Sequence, residues 1–247
     1  MWKLLYQLAS PQYFYQISGR GLSWLASGAF LFLMTGFVWG LFYAPPDYQQ
    51  GDAFRLIYVH VPTAFLSMAI FAFMGFLAFL LLIWRIKLAG VLLRSSLSVG
   101  ACMALLALVT GSIWGKPMWG AWWVWDARLT SELILLFLYA ALLATGQAYQ
   151  QEEQGDRVVA ILTLVGLVDL PIIHYSVYWW NTLHQGATIS LLSAPKIHPS
   201  MLAPLLVTLF GFVFFSMMLV LYQARTSLLW RERRQRWVNR ILVGAPK

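Results

Sequence analysis

The sequence predicts an all-α, polytopic membrane protein of six transmembrane helices, with residues 1–247 forming one integral-membrane domain. Three observations carry that prediction. The chain is 60% apolar and only 11% charged, where a soluble domain carries about 25% charged residues. Its apolar residues fall in long uncharged runs, and the length leaves room for about six spans of ~20 residues joined by short loops. Only helices and closed barrels satisfy the backbone inside a bilayer, and runs this continuously apolar are helical.

In chain order, residues 2–18 are too polar to span and are broken by Pro11. They read as an interfacial amphipathic helix. The first span covers about 22–43 and ends before Pro45, Pro46 and Asp47; residues 44–56 form an outer loop. The second covers 57–84, with His60 in its first turn ahead of Pro62. The third covers 97–113 and leads into a tryptophan-rich segment. The fourth covers 129–149, and its polar start, Thr130-Ser131-Glu132, is suited to satisfying free N–H groups. Polar residues 150–157 precede a fifth span, 158–178, which contains Asp169, Pro171 and His174. Residues 179–200 form a second outer loop, irregular at Pro195 and His198-Pro199. The sixth span covers 201–222, and a basic tail follows. No internal repeat is evident.

Basic residues set the orientation. Lys3, Arg20, Arg85, Lys87, Arg94, Arg157 and the tail fall on one side, against Arg55, Lys116, Arg128 and Lys196 on the other. The positive-inside rule then places both termini in the cytoplasm. The net charge of +8 therefore reads as topology and lipid-headgroup contact, not nucleic-acid binding. The single cysteine, Cys102, excludes internal disulfides and Cys-rich metal sites and reads as inert packing. The N-terminus lacks a cleavable-signal pattern. No phosphate-binding Gly-Lys motif, Ser-His-Asp order or zinc-spaced histidine pair occurs, so the chain does not read as an enzyme.

The segment around which the chain is organised is S-I-W-G-K-P-M-W-G-A-W-W-V-W-D-A-R-L-T-S-E, from Ser112. An interfacial aromatic belt accounts for one or two tryptophans. Trp114, Trp119, Trp122, Trp123 and Trp125 together point instead to a platform for a large flat ligand, since indoles offer wide rigid faces and a single donor. If the segment is helical, Trp119, Trp122, Trp123 and Asp126 share a face; if extended, Trp119, Trp123 and Trp125 do. The sequence leaves both open.

Of four histidines, His60 and His184 fall at the level of these tryptophans. Two neutral imidazoles across a slot can ligate one metal axially, as in a two-His haem; the plainer reading is two interfacial polar residues. His174 lies deeper. It is about 140° around a regular helix from Asp169, and is divided between a structural hydrogen bond and a supporting role. His198 reads as surface. Arg55, Lys116 and Arg128 are the basic residues nearest the platform, and guanidinium pairs well with carboxylates such as haem propionates. Arg128 also has Asp126 and Glu132 within reach.

At W-G-A-W-W-V-W-D-A-R-L-T, residues 119–130, the chain resembles the "WWD" haem-handling membrane proteins of cytochrome c maturation. Y-V-H-V-P at 58–62, W-G-K-P-M-W-G at 114–120 and L-P-I-I-H-Y-S-V-Y-W-W-N-T-L-H-Q-G at 170–186 resemble the CcmC family. The resemblance covers essentially the whole chain. It implies binding of haem b at the outer face of the bacterial inner membrane, with axial ligands at His60 and His184. Trp119, Gly120, Trp123, Trp125 and Asp126 fall on the platform signature. It further implies loading of haem onto the periplasmic chaperone CcmE, together with CcmD and the transporter subunits CcmA and CcmB. Two other readings compete. A b-type cytochrome subunit would need the same ligands, and a solute transporter subunit would use Asp169 and His174.

Overall fold

The computed structural model describes residues 10–180, 182–184 and 197–243. Eight α-helices are present among them: α1 Pro11–Val38, α2 Ile57–Trp84, α3 Lys87–Trp119, α4 Ala127–Ala148, α5 Glu152–Gly166, α6 Asp169–Trp179, α7 Pro199–Arg231 and α8 Arg236–Val243. They make six segments long and apolar enough to cross a membrane, Pro11–Tyr43, Asp52–Trp84, Lys87–Trp119, Ala127–Ala148, Glu152–Trp179 and Pro199–Arg231. The chain is a multi-pass, all-helical membrane protein.

Several boundaries differ from the sequence reading, each for a local reason. Pro11 does not interrupt an interfacial segment. It occupies the first turn of α1, where its missing N–H costs nothing, and the helix continues unbroken into the span. Residues 2–9 of that expected segment lie outside the described residues. After α1, a π-helical turn at Trp39–Tyr43 closes with Ala44 N–H donating to the Trp39 carbonyl. Ala44 is extended, as a residue before proline prefers. The third span begins ten residues earlier than expected, at Lys87, so Arg94 lies within α3 and not in a loop. The fifth span is two helices. Pro171 has no N–H for the Leu167 carbonyl, and the chain tightens there into i→i−3 bonds, Val168 to Val165 and Leu170 to Leu167. The sixth runs on to Arg231, and α8 follows.

Without a hydrophobic force between helices in lipid, close packing carries assembly, and small residues permit it. α1 packs chiefly along α7. At that seam a Cβ on Gly36 would fall 2.8 Å from the Thr208 backbone nitrogen, and one on Gly211 2.8 Å from that of Leu33. The main core joins α2 through α6 around Phe71, Met74, Leu93, Leu97, Leu135 and Tyr139. Phe71 meets Tyr139 edge-on at 5.2 Å. Cys102 is exposed on the outer surface of α3, so it is not core packing as the sequence reading held.

Candidate functional site

One end of the bundle gathers the start of α2, the end of α3, the start of α4 and the end of α6. His60 stands in the first turn of α2 and reaches across to α3. Its Nδ1 is 3.0 Å from the Ala107 carbonyl oxygen and 3.2 Å from Thr110 Oγ1. A carbonyl only accepts, so Nδ1 carries the proton and Nε2 presents a lone pair. The Thr110 hydroxyl gives its own proton to the Leu106 carbonyl at 2.6 Å, which leaves its oxygen to accept from His60. Gly111 makes room for the ring: a Cβ there would lie 3.0 Å from His60 Cε1.

One turn on, the Trp114 ring stands edge-on to His60 at 5.7 Å. The Trp114 indole N–H donates to Gln50 Oε1 at 2.9 Å. Gln50 is held by a turn in which Asp47 Oδ1 accepts from the backbone N–H of Gln49 and Gln50. Gln50 went unnoticed in the sequence. Pro45-Pro46-Asp47 signalled the turn, but not the indole it would face.

The tryptophan segment is neither wholly helical nor wholly extended. α3 runs through Trp119 and ends at Gly120, whose φ of 75° is left-handed and suits glycine. Lys116 Nζ donates to the Gly120 carbonyl at 3.0 Å and lies 6.0 Å from the Trp122 ring centre. Irregular backbone then carries Trp122, Trp123 and Trp125 to α4. Trp125 is 76% exposed and Trp122 59%, while the Trp123 indole nitrogen is buried with no acceptor among the described residues. Trp123 and Trp125 meet edge-on at 5.4 Å.

Asp126 ties the segment together. Its Oδ1 caps α4 by accepting from Leu129 N–H at 2.8 Å. The cap is therefore Asp126 and not Thr130-Ser131-Glu132; Ser131 bonds instead to the Ala127 carbonyl. Asp126 Oδ2 accepts from the Thr182 hydroxyl at 2.6 Å and faces His184 Nδ1 at 3.1 Å. The His184 ring lies against Trp119, 4.9 Å between centres. Burial pushes the Asp126 carboxyl up, but the Leu129 N–H, the Thr182 hydroxyl and the His184 ring outweigh it and hold it below its ordinary 3.8. Burial lowers His184 below its ordinary 6.5, against the opposing pull of Asp126. The ring is thus neutral at pH 7, and its contact with Asp126 is a hydrogen bond given by Nδ1–H. His184, like His60, keeps a lone pair on Nε2, the arrangement that a carbonyl or carboxylate accepting from Nδ1–H imposes on metal-binding histidines.

The arginines are differently engaged than the sequence reading anticipated. Arg128 Nη1 donates to the Ile173 carbonyl at 3.1 Å, and among the described residues the arginine forms no ion pair with Asp126 or Glu132. Glu132 is buried and accepts from Ser67 Oγ at 2.7 Å. Arg55 bonds to Asp52 Oδ1 and the Gly40 carbonyl, both at 2.9 Å. His174 is exposed, and its ring lies 4.8 Å from that of Tyr175. Asp169 is buried at the start of α6. His198 is exposed and caps α7, as expected of a surface residue. Lys196, Pro195 and Asn181 lie outside the described residues. Among the described residues no three His, Cys, Asp or Glu side chains cluster as a metal cage; a site of two histidines is of a different kind.

A helical bundle with two imidazoles, each without an Nε2 partner among the described residues, and a tryptophan-rich turn at one end defines a class: a multi-pass membrane protein with a candidate ligand site at that end. The chain belongs to the CcmC family, whose model, described as Heme exporter protein C, matches residues 4–239. It is 49% identical over 243 residues to Heme exporter protein C of Escherichia coli K12, covering 98% of each chain. Over 239 residues it is 47% identical to the Haemophilus influenzae protein of that name, covering 97% of each. The Paracoccus denitrificans protein is 38% identical over 231 residues, with 93% of this chain and 95% of that one covered.

Proposed function

We propose that this chain handles haem for cytochrome c maturation, binding it as haem b at the periplasmic face of the inner membrane and passing it to CcmE. The observation that carries the proposal is the shared tautomer of His60 and His184. Each gives Nδ1–H to a protein acceptor and keeps an Nε2 lone pair for iron. Haem is here the cargo, and two axial imidazoles would hold it in a six-coordinate, weakly reactive state. Trp114 and Trp119 flank the two imidazoles. With Gly120, Trp122, Trp123 and Trp125 they form the platform of this reading, and the Trp123 N–H, without an acceptor among the described residues, is a donor available to a ligand edge. Asp126 is a positioning residue for His184. Arg128 and Arg55 are the cationic partners for propionates; Arg128 keeps donors beyond the Ile173 carbonyl, and Arg55 beyond Asp52 and the Gly40 carbonyl.

In this reading both termini are cytoplasmic, and the chain works with CcmD, CcmA and CcmB without being an enzyme itself. The exposure of Trp122 and Trp125 suits a platform open on one side, from which a docking chaperone collects the porphyrin. His184 lies on a loop and His60 on a helix, so His184 is the ligand that yields. The test is the visible spectrum of purified protein. Wild type shows a two-His Soret signature, the double variant His60→Ala with His184→Ala loses it, and added imidazole restores haem to either single variant. Full haem retention in the double variant would remove the proposal.

A further inference from the structure

We infer that the opposite end of the bundle holds a second ligand site, built for the phosphoethanolamine headgroup of a membrane lipid. A cavity of about 280 Å³ lies there between the start of α3, the end of α4, the start of α5 and the end of α7. Two arginines and two carboxylates line it: Arg94, Arg231, Glu152 and Asp156.

The two arginines are not equivalent. Arg231 takes both acids, with Nε 2.7 Å from Glu152 Oε2 and a two-point contact to Asp156 at 2.5 and 3.1 Å. Arg94 makes no hydrogen bond or ion pair among the described residues, and it stands half-buried two turns into α3. The fold makes room for it. A Cβ on Gly146 of α4 would overlap the Arg94 guanidinium outright. A half-buried guanidinium that lines a cavity and makes no bond to the described residues keeps its planar fork of donors available, and a phosphate matches that fork.

The charge balance specifies the remainder of the ligand. The four side chains sum to zero, so a bare anion on Arg94 would leave the cavity negative. Glu152 is 42% exposed at the mouth, with carboxylate lone pairs left over from its single contact to Arg231. An ammonium placed there restores neutrality. A phosphate and a primary ammonium a few bonds apart are the headgroup of an ethanolamine phospholipid. The cavity sits at helix ends, the level at which such headgroups lie beside a membrane protein.

The test uses full-length protein in nanodiscs of phosphatidylcholine. Phosphatidylethanolamine, phosphatidylglycerol or inorganic phosphate is added in turn, and retained lipid is read by native mass spectrometry and protection by thermal unfolding. The expected result is selective retention and protection by the ethanolamine lipid. Arg94→Gln should reduce it about tenfold, the loss of one charge-assisted contact. Gly146→Ala keeps every charge but displaces the guanidinium, and should reduce it likewise. Glu152→Gln should erase the preference over phosphatidylglycerol. Equal or greater protection by phosphatidylglycerol, protection by inorganic phosphate alone, no protection of wild type by any of the three, or retention indifferent to both Arg94→Gln and Gly146→Ala would each overturn the assignment.

Discussion

Replacing Asp126 by asparagine separates the two tasks of that side chain. Oδ1 caps α4 and Oδ2 orients His184. Asparagine caps a helix about as well as aspartate, so α4 and the thermal midpoint should scarcely change. The orienting role should suffer. A carboxylate accepts only, and obliges His184 to hold its proton on Nδ1. An amide offers N–H donors as well, which lets Nδ1 become the acceptor and moves the proton to Nε2, where it blocks a metal. Loss of an orienting acceptor of this kind weakens metal binding by about 10–100-fold, or about 1.4–2.8 kcal/mol. Asp126→Ala removes the cap too and should cost about a further 1 kcal/mol of stability. The assay is haem titration followed at the Soret band, beside circular-dichroism melts of the same samples. Haem affinity in Asp126→Asn within twofold of wild type would refute the reasoning, because the carboxylate would then be only a cap.

Acidification should release haem in a defined direction. His184 is depressed below 6.5 by burial, so the folded, unliganded ring takes a proton, which competes with iron, only below that value. Its contribution is complete above about pH 6.5 and is lost as pH falls further; Asp126, also depressed, adds to the loss at lower pH. Retention that rises between pH 7 and pH 5 would contradict this. Gly111→Val should push the His60 ring off its seat, since a Cβ already lies 3.0 Å from Cε1; the Soret band should fall while the helical content stays. Gly36→Leu should part α1 from α7 by collision with the Thr208 backbone and cost about 1–3 kcal/mol, measurable as earlier unfolding in detergent with the haem spectrum of the folded fraction unchanged.

The number of spans and the residues worth suspecting were legible in the sequence, because both depend on composition and short-range pattern. A bilayer demands long apolar runs, and five tryptophans beside Asp126 stand out against any background. What the pattern lacked was the course of the chain between spans. Pro11 read as a break and acts as a start, since proline is harmless in a first helical turn. Pro171 read as a feature within one span and instead divides two helices. Asp126 and Glu132 both stand within sequence reach of Arg128, but helix packing brings Ser67 of α2 against Glu132, and Arg128 turns to a carbonyl of α6.

Sequence alone determined that the chain is a helical membrane protein, with its tryptophan-rich segment between two apolar spans, since hydropathy is a property of each residue wherever it lies. Only the tertiary structure decided how those residues are used. The tautomers of His60 and His184 depend on Ala107, Thr110 and Asp126, which lie 47, 50 and 58 positions from them along the chain. Hydrogen-bond acceptors at such separations are chosen by folding, and no local pattern encodes them.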